Sequence, residues 1–275
     1  MKKNLSKNKI YALESLRGIA ALMVALYHYP SSSFLYVENG FYAVNFFFIL
    51  SGFVIAYNYE NRIKNLRDLI NFQIKRFFRL YPVHIFVLLL IFFIQLTKYI
   101  VIEYSNLPSG SEAFGSRYTL KDFISNLFLI HSIFNFSYWL SWNPASWSIS
   151  TEFYTYILFG LIFLLFKQYK YLFIFLMLII SAPIFIEKYN YFALTNINPY
   201  LNGVFFQCLF NFANGCICYY LFSKIKFFFN DLFIFLIIMF CSFIYFFFHK
   251  EFFQYNFLIF SIFVLACSKL RENSY

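Results

Sequence analysis

The stretch PVHIFVLLLIFFIQLTKYIVI, residues 82–102, carries one charge, Lys98, near its far end. Wound as a helix at about 1.5 Å per residue, such a run just spans a hydrocarbon core about 30 Å thick. Comparable runs recur along the chain near 12–30, 40–59, 147–166, 171–187, 200–222, 228–248 and 253–268, separated by short polar breaks. The whole chain agrees with that pattern. Of its 275 residues, 61% are hydrophobic and 12% charged, and 45 are Phe. A soluble domain carries about a quarter charged residues. The sequence therefore predicts an all-α, polytopic transmembrane bundle of about eight or nine spans, forming one integral-membrane domain over residues 1–275.

The segment TLKDFISNLFLIHSIFNF, residues 119–136, is shorter and more polar, and the loop at 103–118 holds Pro108, Gly110 and Gly115. If 119–136 enters the membrane without crossing it, the basic residues sort cleanly. Only Lys98, Arg117, Lys121, Lys188 and Lys250 fall outside, and the other seventeen of the 22 Lys and Arg face the cytoplasm. The positive-inside rule then predicts eight crossings with both termini cytoplasmic. That rule also accounts for the net charge of +10 without nucleic acid as a partner. MKKNLSKNK at the N-terminus precedes an apolar run with no small-residue cleavage site, so the first span is read as retained. The Phe, Ile, Asn and Lys bias is that of an AT-rich bacterial genome. Together these point to the bacterial inner membrane.

Cys208, Cys216, Cys218, Cys241 and Cys267 all lie in apolar segments, with no CxxC pair and no accompanying His cluster. They read as small packing residues, and no metal site is expected. His84, His131 and His249 show no partner in the sequence and read as structural.

Ionisable groups within a membrane are costly and usually face a bundle interior or an aqueous cavity. LRGIAALMVALYHYP, residues 16–30, sets Arg17 and His28 at the two ends of ten nearly apolar residues. Eleven positions are close to three helical turns, so both side chains leave nearly the same face, roughly 16 Å apart along the axis. NPASWSISTEFYTY, residues 143–156, offers Pro144 and Ser146 as helix-start signals, with Ser148, Glu152 and Thr155 on one face beyond. Glu152 sits deep for a residue that only balances a helix dipole, which favours an interior role. In YLNGVFFQCLFNFANGCICYY, Gln207, Asn211, Asn214 and Cys218 make a polar stripe suited to interhelical hydrogen bonds. Asn45 and Ser51 invite the same interpretation, and Gly52 admits a close helix approach. The loop ENRIKNLRDLINFQIKRFFRLYP, residues 60–82, carries six basic residues. Its Lys75, Arg76 and Arg79 suit a phosphate-rich ligand or anionic headgroups.

These pieces, in this order, resemble the acyltransferase-three family of membrane acyltransferases, the O-antigen O-acetylase type. LESLRGIAALMVALYH is similar to the family's opening, and AVNFFFILSGFVIAY to its second-span pattern. FQIKRFFRLYP resembles its basic stretch, NPASWSISTEFYTY its Trp-Ser-x-x-x-Glu entry, and FFQCLFNFANGCICYY a motif with Gly215 at the glycine. The resemblance covers roughly residues 11 to 222. It implies transfer of an acyl group, commonly acetyl from acetyl-CoA, to a hydroxyl of a cell-envelope carbohydrate or lipid-linked sugar. By motif, His28 is the catalytic histidine, Arg17 its companion and Glu152 a further functional position. Lys75, Arg76 and Arg79 correspond to an acyl-CoA docking surface, and Asn45, Ser51, Trp147 and Ser148 to pocket candidates.

Imidazole suits that chemistry, since a sugar hydroxyl attacks a thioester poorly without a positioned base. Two departures stand out. Asn45 occupies a position where the family often has Asp, and the chain ends at SKLRENSY where members continue through further spans, as expected of a short or truncated member. Two readings compete: a transporter or flippase-like protein with the same polar groups along a permeation route, which no internal repeat supports, and an inactive remnant whose motifs persist without turnover.

Overall fold

The computed structural model describes residues 10–28, 40–105, 112–135, 137–187, 202–224 and 256–269, together with Phe233, Leu236, Ile237 and Phe240. The N-terminal lysines up to Lys9, Pro108, Gly110, Lys188, the 228–248 span apart from those four positions, Cys241, His249, Lys250 and Arg271 lie outside the described residues.

The described chain is helical. In order come α1 (Tyr11–Tyr27), α2 (Gly40–Tyr59), α3 (Leu66–Ser105), α4 (Leu120–Leu127), a 3₁₀ turn (Pro144–Ser146), α5 (Trp147–Leu165), α6 (Lys170–Glu187), α7 (Gly203–Lys224) and α8 (Asn256–Lys269). Among the described residues, four stretches are long and apolar enough to cross a membrane: Tyr42–Tyr59, Leu66–Tyr104, Pro144–Leu165 and Gly203–Lys224. Lys170–Pro183 and Asn256–Ser268 are shorter apolar helices. The all-α membrane-protein class holds, and the expected spans match α1, α2, α5, α6, α7 and α8 to within a few residues.

One boundary needs correction. Residues 60–81 are not a loop before the third span, because from Leu66 they are already part of the 40-residue α3. Asn65 Oδ1 accepts the Asp68 N–H at 2.9 Å, and Asp68 Oδ2 accepts the Lys64 N–H at 3.1 Å. This reciprocal cap satisfies donors that a helix start leaves open. Leu69 and Phe72 are buried on one side, while Lys75 and Arg79 are exposed on the other. Of the six basic residues that suggested a loop, Arg62 and Lys64 precede α3, while Arg67, Lys75, Arg76 and Arg79 are carried on it, and Pro82 lies within the same helix.

The chain divides into two compact units. The first takes the described residues up to Arg62, Phe166–Ala182 and those from Leu209 onward; the second takes Ile63–Leu165 and the described residues of Pro183–Cys208. In the first, α1, α2 and α8 pack together, with Phe46 against Phe260 at a ring distance of 5.3 Å. Gly52 and Gly215 bring α2 and α7 into backbone contact. A Cβ on Gly52 would strike the Phe212 carbonyl, and one on Gly215 would strike the Ile49 carbonyl. Small residues allow this approach where lipid supplies no hydrophobic drive between helices.

In the second unit α3 packs on α5. Gly160 leaves the room, since a Cβ there would lie 2.6 Å from Leu69 Cδ1. Helix α4 has eight residues and is about 12 Å long, too short to cross. It is tied down by Asp122, which accepts Thr119 Oγ1 at 2.8 Å, Ser137 Oγ at 2.5 Å and the Tyr138 N–H at 3.1 Å. Beyond it the chain turns through Leu129 and Trp142, both with positive φ, and enters α5. Ser150 of α5 donates to the Leu129 carbonyl at 2.5 Å, which fixes that entry.

Candidate functional site

Helix α1 carries both Arg17 and His28. Arg17 is half-buried, and its Nη1 meets Glu14 Oε1 at 3.1 Å. His28 is the exposed C-cap of α1, one residue past its last turn. Its Nδ1 lies 2.8 Å from the Val24 carbonyl. A carbonyl only accepts, so Nδ1 holds the proton and the neutral ring presents Nε2 as its lone-pair nitrogen. The Tyr27 ring stands edge-on to the imidazole at 5.1 Å.

Asn45 and Ser51 are both buried on α2, as an interior role requires. The polar stripe on α7 is interior as well. Gln207, Asn211 and Cys218 are buried, and Asn214 Nδ2 donates to Ser261 Oγ of α8 at 2.7 Å. The four described cysteines are buried thiols, and Cys216 Sγ contacts the Gly52 carbonyl at 3.3 Å.

In the second unit the structure separates the basic cluster into two kinds of residue. Lys75 and Arg79 are exposed, whereas Arg76 is half-buried and turned toward α5. Its guanidinium carbon lies 5.7 Å from the Phe72 ring centroid and 5.8 Å from that of Tyr156. Tyr156 is 2% exposed, and its hydroxyl donates to Glu152 Oε1 at 2.5 Å. Arg76 and Glu152, far apart in sequence, are thus joined through one aromatic residue. Trp147, buried at the start of α5, meets Trp139 edge-on at 6.0 Å. Ser148 donates to the Ala145 carbonyl at 3.2 Å. Thr155, placed by spacing beside Ser148 and Glu152, is turned to Cys208 Sγ at 3.4 Å.

Two groups of residues escaped the sequence. Tyr156 was within reach, because it follows Ser148 and Glu152 at the next i+4 position. The second group had no such signal. His84 and His131 stack at 6.2 Å with ring planes 4° apart, both fully buried. His84 Nε2 contacts the Asn126 carbonyl at 2.9 Å, and His131 Nε2 contacts Ser146 Oγ at 3.1 Å. Their expected structural role now has partners, and the network anchors the turn that leads into Trp147. Burial, then the neighbouring His84, pushes the His131 imidazole down to about 3, against the opposing Ser125 carbonyl and Asp122.

The fold and these groups define a helical membrane protein with an exposed histidine whose tautomer is set and, in its second unit, an Arg–Tyr–Glu cluster. The acyltransferase-domain family model matches residues 10–270, and the chain belongs to acyltransferase family three. It is thus a membrane acyltransferase by family. No curated protein and no solved structure matches the chain.

Proposed function

We propose that the protein transfers an acyl group, most simply acetyl, from acyl-CoA to a hydroxyl of a cell-envelope carbohydrate such as O-antigen, lipooligosaccharide or exopolysaccharide. It acts in the bacterial cytoplasmic membrane with both termini inside. The observation that carries the proposal is the His28 hydrogen bond, which leaves Nε2 able to take a proton. In the transfer, Nε2 removes the proton of the acceptor hydroxyl as its oxygen attacks the thioester carbonyl. The tetrahedral centre collapses, the C–S bond breaks, and the CoA thiolate receives the proton back from His28. Arg17, roughly 16 Å along α1 from His28, is assigned by motif to the donor side as the companion of His28, where its half-buried cation suits the anionic acyl-CoA. The exposed Lys75 and Arg79 suit the phosphates of CoA, and the motifs carry Arg76, Glu152, Trp147, Ser148, Asn45 and Ser51 over as further site positions.

The test is O-acetylation of extracted envelope polysaccharide from a deletion strain complemented with the chain or with His28→Ala. The wild type restores acetylation, and the variant loses it by roughly a hundredfold or more. Equal restoration by both, at equal membrane insertion, removes His28 from the reaction.

A further inference from the structure

Tyr156 stands between the two charged groups that motif assigns in the second unit. On one side its ring is the platform for the Arg76 guanidinium at 5.8 Å, with Phe72 completing the contact at 5.7 Å. The Phe72 and Tyr156 rings meet edge-on at 6.1 Å. On the other side its hydroxyl donates to Glu152 at 2.5 Å, one helical turn back along α5. Its own backbone is held too, because Gln73 Nε2 of α3 donates to the Tyr156 carbonyl at 2.9 Å. A residue gripped this way and 2% exposed has no freedom to turn aside.

A cation over the face of a phenol draws electron density from the ring and strengthens its O–H as a donor. The positive charge of Arg76 is therefore felt at the Glu152 carboxylate through the ring, in a setting where hydrogen bonds to charged groups are strong.

We propose that Tyr156 is the positioning residue of the second unit's Arg76–Glu152 cluster: its ring orients Arg76 and its hydroxyl orients Glu152, so that the two act as one unit in acyl transfer. The inference rests on the acyltransferase function proposed above. Ring and hydroxyl have separable tasks. The ring serves the group assigned to the acyl donor, and the hydroxyl serves the carboxylate.

The experiment uses the full chain in lipid nanodiscs, with radiolabelled acetyl-CoA as donor and extracted envelope polysaccharide as acceptor. Tyr156→Phe keeps the platform and removes the hydroxyl. It is expected to lower kcat roughly tenfold to a hundredfold, the worth of one hydrogen bond to a charged group, with KM for acetyl-CoA unchanged. Tyr156→Leu removes both and is expected to raise KM as well. Adding Tyr156→Phe to Glu152→Gln should cost nothing further, since the hydroxyl acts through that carboxylate. Wild-type kinetics for Tyr156→Phe beside an inactive Glu152→Gln overturn the positioning role and leave the acyltransferase function standing. A lowered thermal midpoint with unchanged kcat overturns it too, because that is the mark of packing alone. Should the inserted wild-type chain transfer no label, the proposed function fails and the inference with it.

Discussion

The Tyr219 hydroxyl donates to Glu60 Oε1 at 2.8 Å, tying α7 to the residue that follows the last turn of α2. The same carboxylate receives the Tyr171 hydroxyl at 2.5 Å and faces Lys170 Nζ at 3.4 Å, both from the start of α6. One side chain therefore fastens three helices of the first unit. Burial pushes the Glu60 carboxyl up, but the two hydroxyls and Lys170 outweigh it and hold it below its ordinary range.

Glu60→Ala leaves a half-buried ammonium and two hydroxyls without their shared acceptor. The expected loss is about 3 kcal/mol, within the range for breaking a buried pair. It is read as a lowered thermal midpoint in detergent, and Lys170→Met should recover part of it. An unchanged midpoint for Glu60→Ala would show that the three helices hold together without it.

Acid should weaken the second unit through His131. Its folded form stays neutral down to about 3, whereas the unfolded ring titrates at its ordinary value of 6.5. Below 6.5 the unfolded chain binds a proton that the folded chain refuses. Stability is thus full above that value and falls as pH drops, by about 1.4 kcal/mol per unit. Thermal midpoints measured from pH 7.5 to 5 should decline in the wild type and decline less steeply in His131→Gln, where the buried His84 remains. Parallel curves for the two would assign the acid sensitivity elsewhere.

The basic cluster should divide in function as it does in space. Lys75→Ala and Arg79→Ala remove exposed charges and should change stability by less than about 0.5 kcal/mol. Each should raise KM for acetyl-CoA and flatten its dependence on salt. Arg76→Lys replaces a flat guanidinium lying against two rings with a compact ammonium, and it should lower activity even at saturating donor. Three equivalent phenotypes would mean that the burial of Arg76 has no functional consequence.

How much of this was legible in the sequence depends on the distance over which each signal acts. Apolar runs are local, and so were the limits of α2, α5 and α6. The Gly52 approach was legible because a glycine set among phenylalanines lowers the helix surface at one point, where a second backbone can come close. The start of α3 was hidden, since six basic residues masked the alternation of Leu69 and Phe72 with exposed positions. Tyr156 was missed although its i+4 spacing from Glu152 was visible, because Thr155 was the more polar choice. His84 and His131 meet only through tertiary packing, and no spacing rule connects them.

The contact at Gly52 and Gly215 has a mechanical consequence. Where two helices touch through side chains, rotamers yield and one rod slides over the other. Here the Ile49 and Phe212 carbonyls press against the neighbouring helix at its bare backbone, and a peptide unit has no rotamer to give. Helices α2 and α7 are latched at that crossing. Any rearrangement within the first unit must carry that crossing as a single rigid piece, with the give supplied by the helices around it.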